Sequence, residues 1–123
     1  MTLALWCILV AALLPYVPFG LAGAKLNPRT PRLSAPSLDG LPARAYGAHL
    51  NSFEAFPFFA AAVIVSHILE GPSATVGVLA VAFIVARLAH MAFYLSDRQP
   101  PRTTFFLAGL VISAGIFIHP AFH

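Results

Sequence analysis

Arg87, His90 and Tyr94 stand in one otherwise apolar run, Ala82-Val-Ala-Phe-Ile-Val-Ala-Arg-Leu-Ala-His-Met-Ala-Phe-Tyr94. Their i, i+3, i+7 spacing puts all three side chains on one face of a helix. A guanidinium in a segment apolar enough to lie in a membrane is costly, and such groups face a bundle interior or a wet cavity. The triad therefore marks a candidate site for binding an anion by charge-assisted hydrogen bonds.

Other polar residues extend that face. Arg44, Asn51 and Glu54, at spacings of seven and three, share nearly one side of a second apolar stretch. Arg102 follows Pro100 and Pro101 and is expected at a helix N-terminus, with the next helix starting at Thr103 or Thr104. At such a position the guanidinium, free backbone N–H groups and the helix dipole would all favour negative charge. A thiol placed there would ionise more readily. Arg44, Arg87 and Arg102 outnumber Glu54, so the ligand these residues imply is an anion with carboxylates.

Each residue taken alone has a plainer role. Glu54 and Arg87 would neutralise each other across two helices. His90 would be a packing residue, Tyr94 an interfacial aromatic and Arg102 a positive-inside anchor. Their convergence at one depth makes the case for a site.

The elements that must position them follow from composition. The chain has 123 residues, 59% hydrophobic and 9% charged, whereas soluble domains carry about 25% charged residues. An all-α integral membrane protein is implied, a single domain over residues 1–123. Four apolar stretches, Leu3 to Leu21, Tyr46 to Leu69, Ala74 to Leu95 and Thr103 to His119, each approach the roughly 17 to 25 residues of a spanning helix. Pro15 and Pro18 should kink the first or end it early. The Pro-, Ser- and Gly-rich loop over residues 27–40 is expected to be irregular, and the second helix to start near Pro42. Gly109 with Ser113, and Ala82 with Ala86, are small-residue pairs that let helices approach closely.

Basic residues sort by loop. Lys25, Arg29, Arg32 and Arg44 lie in or beside the first loop and Arg98 and Arg102 in the third, while the second loop and both termini have none. By the positive-inside rule the first and third loops are cytoplasmic and both termini lie opposite. The net charge of +3 is thereby accounted for without nucleic acid. Ala22-Gly-Ala24 looks like a signal-peptide cleavage site, but no Lys or Arg precedes Trp6, so the first helix is expected to be retained. Cys7 is the sole cysteine, and it excludes an intrachain disulfide and a cysteine-rich metal site. No metal is expected: His49, His67 and His90 lie on different faces and depths, and the chain is read as having no His-x-x-x-His or Cys pair. His119 and His123 are read as wetted interfacial residues.

The run Arg44-Ala-Tyr-Gly-Ala-His-Leu-Asn51-Ser-Phe-Glu54-Ala-Phe-Pro57 closely resembles the second helix of MAPEG proteins, membrane-associated proteins in eicosanoid and glutathione metabolism. Arg87-Leu-Ala-His90-Met-Ala-Phe-Tyr94, followed by Pro101 and Arg102, resembles helix three and the start of helix four in the prostaglandin E synthase branch. The resemblance covers almost the whole chain and is nearest to short bacterial members. It implies a four-transmembrane-helix bundle, a homotrimer, and glutathione held between protomers near the cytoplasmic side. Asn51 and Glu54 would hold the tripeptide from helix two, and Arg87, His90 and Tyr94 from helix three. Arg102 would stabilise its thiolate.

Two positions depart from the family pattern. Gly47 stands where many members have a second arginine, and Phe106 where the synthase branch has a tyrosine. The loop between Tyr94 and Arg102 looks one residue shorter than in that branch, so Arg98 competes for the thiolate role. The reading is a glutathione-dependent transferase or peroxidase acting on lipophilic small molecules among membrane lipids. Its expected place is a bacterial inner membrane. The alternative is a non-catalytic lipid-binding or scaffold protein of the same fold. A transporter is disfavoured because the charges cluster at one end and line no path across.

Overall fold

The computed structural model describes all 123 residues, and every regular element in it is helical. Helix α1 (Leu3–Leu13) is capped by Thr2, whose Oγ1 accepts from the Leu5 N–H at 3.4 Å. It breaks before Pro15 and resumes as α2 (Tyr16–Gly23), as two prolines without N–H donors require. Two short elements follow, α3 (Pro31–Ser34) and a 3₁₀ turn (Ala35–Ser37). The loop is thus more ordered than its composition suggests. Ser34 Oγ accepts from the Asn27 N–H at 2.9 Å, and Asn27 Oδ1 accepts from the Arg29 N–H at 3.0 Å. These side-chain bonds fold the segment on itself.

Helix α4 (Gly40–Glu70) has 31 residues, about 46 Å at 1.5 Å per residue. It begins before the expected Pro42, because the proline fits inside the first turn. It continues through Pro57 and stops at Gly71, whose φ of +78° suits glycine. Helix α5 (Ala74–Leu95) has the bounds expected from hydropathy and is capped by Ser73, which accepts from the Val76 N–H at 3.3 Å. Helix α6 (Gln99–Ile118) starts earlier than Thr103. Pro100 and Pro101 occupy its first turn, where missing N–H donors cost nothing. A 3₁₀ turn (His119–Phe122) ends the chain.

The turn from α5 to α6 is a Schellman motif. Arg98 N–H donates to the Phe93 carbonyl at 2.9 Å and Asp97 N–H to the Tyr94 carbonyl at 3.2 Å. Asp97 supplies the left-handed residue, with φ of 60°. A side chain there costs about 1 kcal/mol relative to glycine, so Asp97→Gly should raise stability by roughly that amount. Thermal unfolding in detergent would register it, and an unchanged or lowered midpoint would contradict the strain assigned here.

The core lies between α1, α4, α5 and α6. Phe59 and Phe83 stack with centroids 3.9 Å apart, surrounded by Ala4, Cys7, Ala11, Ala62, Val63, Val76, Ala80 and Ile116. A second cluster, Leu14, Ala48 and Met91, fastens the α1–α2 break to α4 and α5. His49 adds a polar tie there, donating Nδ1–H to the Pro15 carbonyl at 2.7 Å. Only 27 of 123 residues are buried, and large apolar side chains such as Val78, Val85 and Val111 are more than half exposed. Four helical spans, Leu3–Gly23, Gly40–Glu70, Ala74–Leu95 and Gln99–Phe122, have the length and composition to cross a bilayer. An apolar exterior on four such spans makes this an integral, multi-pass membrane protein.

The bundle has two unlike ends. The proximal end gathers the start of α4, the end of α5 and the start of α6, and the distal end the Glu70–Ser73 turn and residues 119–123.

Candidate functional site

Six of the seven sequence-selected residues gather in the proximal half, around two adjoining cavities between α4, α5 and α6. The outer cavity, about 270 Å³, is lined by Asn51, His90, Tyr94, Arg102, Thr103 and Phe106. The inner one, about 130 Å³, is mostly apolar and is lined by Glu54, Ala55, Phe58, Phe83, Arg87, Phe106, Gly109, Leu110 and Ser113. Phe106 belongs to both walls. The expected single pocket is therefore two compartments, one polar and one greasy, divided by an aromatic ring.

Arg87 is 3% exposed. Its Nη2 donates to Asn51 Oδ1 at 2.5 Å, its one hydrogen bond within the chain. The expected neutralisation by Glu54 does not occur within 4 Å; the one carboxylate–base contact at that range joins Glu70 to His119. Glu54 shares the inner cavity with Arg87 but its side chain is exposed on the flank of the bundle. Asn51, one turn earlier on α4, faces the guanidinium instead.

Close approach of α6 makes this packing possible. A Cβ on Gly109 would sit 3.6 Å from both Arg87 Cδ and Phe83 Cε2, so the small residue brings α6 up against the Arg87 stem. Ser113 returns its hydroxyl to the Gly109 carbonyl at 3.0 Å.

His90, also 3% exposed, lies between the rings of Tyr94 and Phe106, at centroid distances of 5.7 and 6.2 Å. Its Nδ1 is buried without a hydrogen-bond partner. A buried polar atom left so is uncommon. Arg102 places its guanidinium carbon 4.5 Å from the centre of the Tyr94 ring, a cation–π contact worth roughly 0.5 to 2 kcal/mol. The Arg102 N–H is spent on the Arg98 carbonyl at 3.2 Å. With two prolines before it, the free N–H groups expected beside Arg102 are absent. Its side chain is what acts on the cavity. Arg98 is exposed and lines neither cavity.

Arg44 is placed elsewhere. Its Nε donates to the Leu95 carbonyl at 3.0 Å, where it satisfies one of the open carbonyls at the end of α5. It stands in neither cavity wall.

Gly47 has a structural reason. A Cβ there would collide with the Tyr94 hydroxyl and come within 2.8 Å of its Cζ. The bare backbone of α4 is the seat that lets Tyr94 lie beneath Arg102. Gly47→Ala should push the ring out, an overpacking loss set against about 1 kcal/mol of helix propensity gained. Tyr94→Ala in the same chain should recover most of that loss, since it removes the colliding atoms. A double-mutant cycle on unfolding midpoints checks it, and additive losses would rule the contact out. Sequence reasoning missed this pairing, together with Thr103, Phe83 and Ser113 as cavity walls. No local pattern links residues 47 and 94.

The family model for the MAPEG family matches residues 3–122. The chain belongs to the MAPEG family. Searches of curated proteins and of solved structures give no match. This MAPEG protein is thus a helical-bundle membrane protein of a family concerned with glutathione and eicosanoid metabolism. In its fold the polar residues of α4, α5 and α6 face one another at the proximal end.

Proposed function

We propose that the protein is a glutathione-dependent membrane transferase or peroxidase for lipophilic electrophiles. The observation that carries this reading is the pairing of compartments: a cation-bearing polar cavity opens beside an apolar one across a single ring, Phe106. A hydrophilic anionic thiol and a greasy acceptor need that juxtaposition.

The residues fit glutathione by their open valences. Arg87 has one internal hydrogen bond and His90 Nδ1 has none, so both can bind a carboxylate or amide of the tripeptide. Asn51 and Tyr94 orient it, and Glu54 suits its ammonium group. Arg44 braces the end of α5 on which Tyr94 sits. Glutathione would supply the thiol whose ionised sulfur displaces a leaving group from an electrophilic carbon, or cleaves a peroxide O–O bond to an alcohol and a sulfenic acid that a second glutathione converts to disulfide and water. Arg102 holds negative charge at that sulfur, and Tyr94 fixes the guanidinium plane. The apolar walls Phe58, Phe83 and Leu110 exclude water from the acceptor's side.

The same reading includes a homotrimer. Glu54 stands about 21 Å along α4, 14 residues from its start, with its side chain exposed on the bundle's flank. A lone carboxylate facing lipid is costly, and a neighbouring protomer would cover it and close the site. The proximal end, rich in Lys and Arg, would face the cytoplasm of a bacterial inner membrane.

The test is calorimetric titration of glutathione into the folded, detergent-solubilised protein. Binding between micromolar and low millimolar, displaced by a non-reactive S-alkyl glutathione, is the expected result. No binding by a protein shown to be folded and oligomeric would overturn the reading in favour of the lipid-binding alternative.

A further inference from the structure

The distal end holds a second cluster that the proximal site does not use. Glu70 ends α4, and His119 and His123 occupy the turn after α6. One potential ligand atom from each lies within 4.8 Å of the others. We propose that Glu70, His119 and His123 bind one divalent transition-metal ion of the zinc class.

Hydrogen bonding sets one of the two tautomers. The Glu70 carboxylate accepts from His119 Nδ1 at 2.9 Å, and the His119 carbonyl accepts from His123 Nδ1 at 3.3 Å. A carbonyl can only accept, so His123 Nδ1 carries the proton and Nε2 keeps a free lone pair. His119 differs: a carboxylate holding its Nδ1 proton lies on the far side of the ring from an ion on Nε2, so binding exchanges the Glu70–His119 hydrogen bond for ligation of both groups to the ion. Metal-binding histidines commonly show the His123 arrangement, one ring nitrogen donating to a carbonyl and the other left for the ion. The two imidazoles lie side by side, with centroids 4.1 Å apart and planes 20° from parallel.

Glu70 provides the second, independent sign. Its Oε1 is buried with no hydrogen-bond partner. An unsatisfied carboxylate oxygen is expensive to bury, and a cation bound there would satisfy it. Two imidazoles and a carboxylate suit zinc, copper or nickel, whereas calcium and magnesium want all-oxygen shells. Ligands on tetrahedral zinc lie about 3.3 Å apart, given bonds of roughly 2.0 to 2.1 Å. Closing from 4.8 Å requires the Glu70–His119 hydrogen bond to open. A fourth position would be left to water.

The spacing was readable. His119 and His123 are four residues apart, a His-x-x-x-His pair that the interfacial reading of these residues passed over. Their meeting with Glu70, 49 positions before His119, is a product of the α4–α6 packing. The ion would tie the ends of those helices together. Glu70 lies 16 residues beyond Glu54, about 24 Å along α4, so this site and the proximal cavities stand or fall separately.

The experiment uses tag-free protein stripped with a chelator and titrated with Co²⁺ as a spectroscopic probe. One Co²⁺ per chain, visible d–d bands, displacement by Zn²⁺ and a raised unfolding midpoint are expected. His119→Ala and His123→Ala should each weaken binding at least about tenfold, and His67→Ala should leave it unchanged. His123 is exposed, so its variant should fold normally. Absence of Co²⁺ binding, or wild-type affinity in both histidine variants, overturns the proposal. So does a Glu70→Gln variant that loses stability while the wild type gains none from metal, since the cluster is then a hydrogen bond alone.

Discussion

Arg102→Ala is expected to lower glutathione-dependent turnover by roughly 10²- to 10³-fold, the loss that follows removal of one preorganised donor to a developing anion. The guanidinium is held over the Tyr94 ring at 4.5 Å and lines the outer cavity. Its charge is thus in place before any thiol arrives. Folding should survive, because the backbone of the first α6 turn is set by Pro100, Pro101 and the Arg102 N–H bond to Arg98. Arg102→Lys is the sharper probe. It keeps the charge but loses the planar group that lies on Tyr94, so it should recover only part of the activity. Ultraviolet absorbance of the bound thiolate, followed with pH, separates the two contributions. Wild-type turnover in Arg102→Ala would remove this residue from the chemistry and return attention to Arg98.

The second large effect should split stability from binding. Arg87→Met is expected to fold as well as the wild type, or better, while glutathione affinity falls by at least tenfold. The reasoning is electrostatic. Arg87 is buried, with a neutral amide as its one hydrogen-bond partner and no carboxylate within salt-bridge distance. Burying a charge so poorly compensated costs several kcal/mol, and replacing buried ionic groups with apolar ones of similar volume is often neutral or stabilising by about 1 to 4 kcal/mol. On the proposed function, a residue kept at such a cost serves the ligand rather than the fold. The drop in affinity corresponds to losing one charge-assisted hydrogen bond, about 1.5 to 3 kcal/mol. Unfolding midpoints and calorimetric titration on the same sample decide between the roles. Marked destabilisation with binding intact would make Arg87 a structural residue.

How far the sequence carries can be judged from individual residues. The i, i+3, i+7 spacing of Arg87, His90 and Tyr94 put them on one face, and in the fold all three do line the cavities between α4, α5 and α6. Helical periodicity is local, so it survives whatever packs around it. Proline placement was legible at the α1–α2 break and misread at α6. The same absence of an N–H that interrupts a helix is harmless in a first turn, and only the Schellman turn at Asp97 shows which case applies. Arg44 shows the limit of face arguments. It shares a side of α4 with Asn51, yet the end of α5 captures it through the Leu95 carbonyl.

Composition and hydropathy alone determined that this chain is a four-span helical membrane protein, because the bilayer imposes span length and apolarity on each helix separately. Motif resemblance pointed to its family, because those residues recur at set positions along single helices. Tertiary structure decided what depends on two helices at once. The Tyr94 ring rests on the bare backbone of Gly47, so a position that reads as a missing arginine is a packing requirement. Phe106 stands between a polar and an apolar cavity. Asn51, not Glu54, meets Arg87, and Glu70 meets His119. Such pairings turn on ångström-scale offsets between helices, and residues far apart in the chain carry no local trace of them.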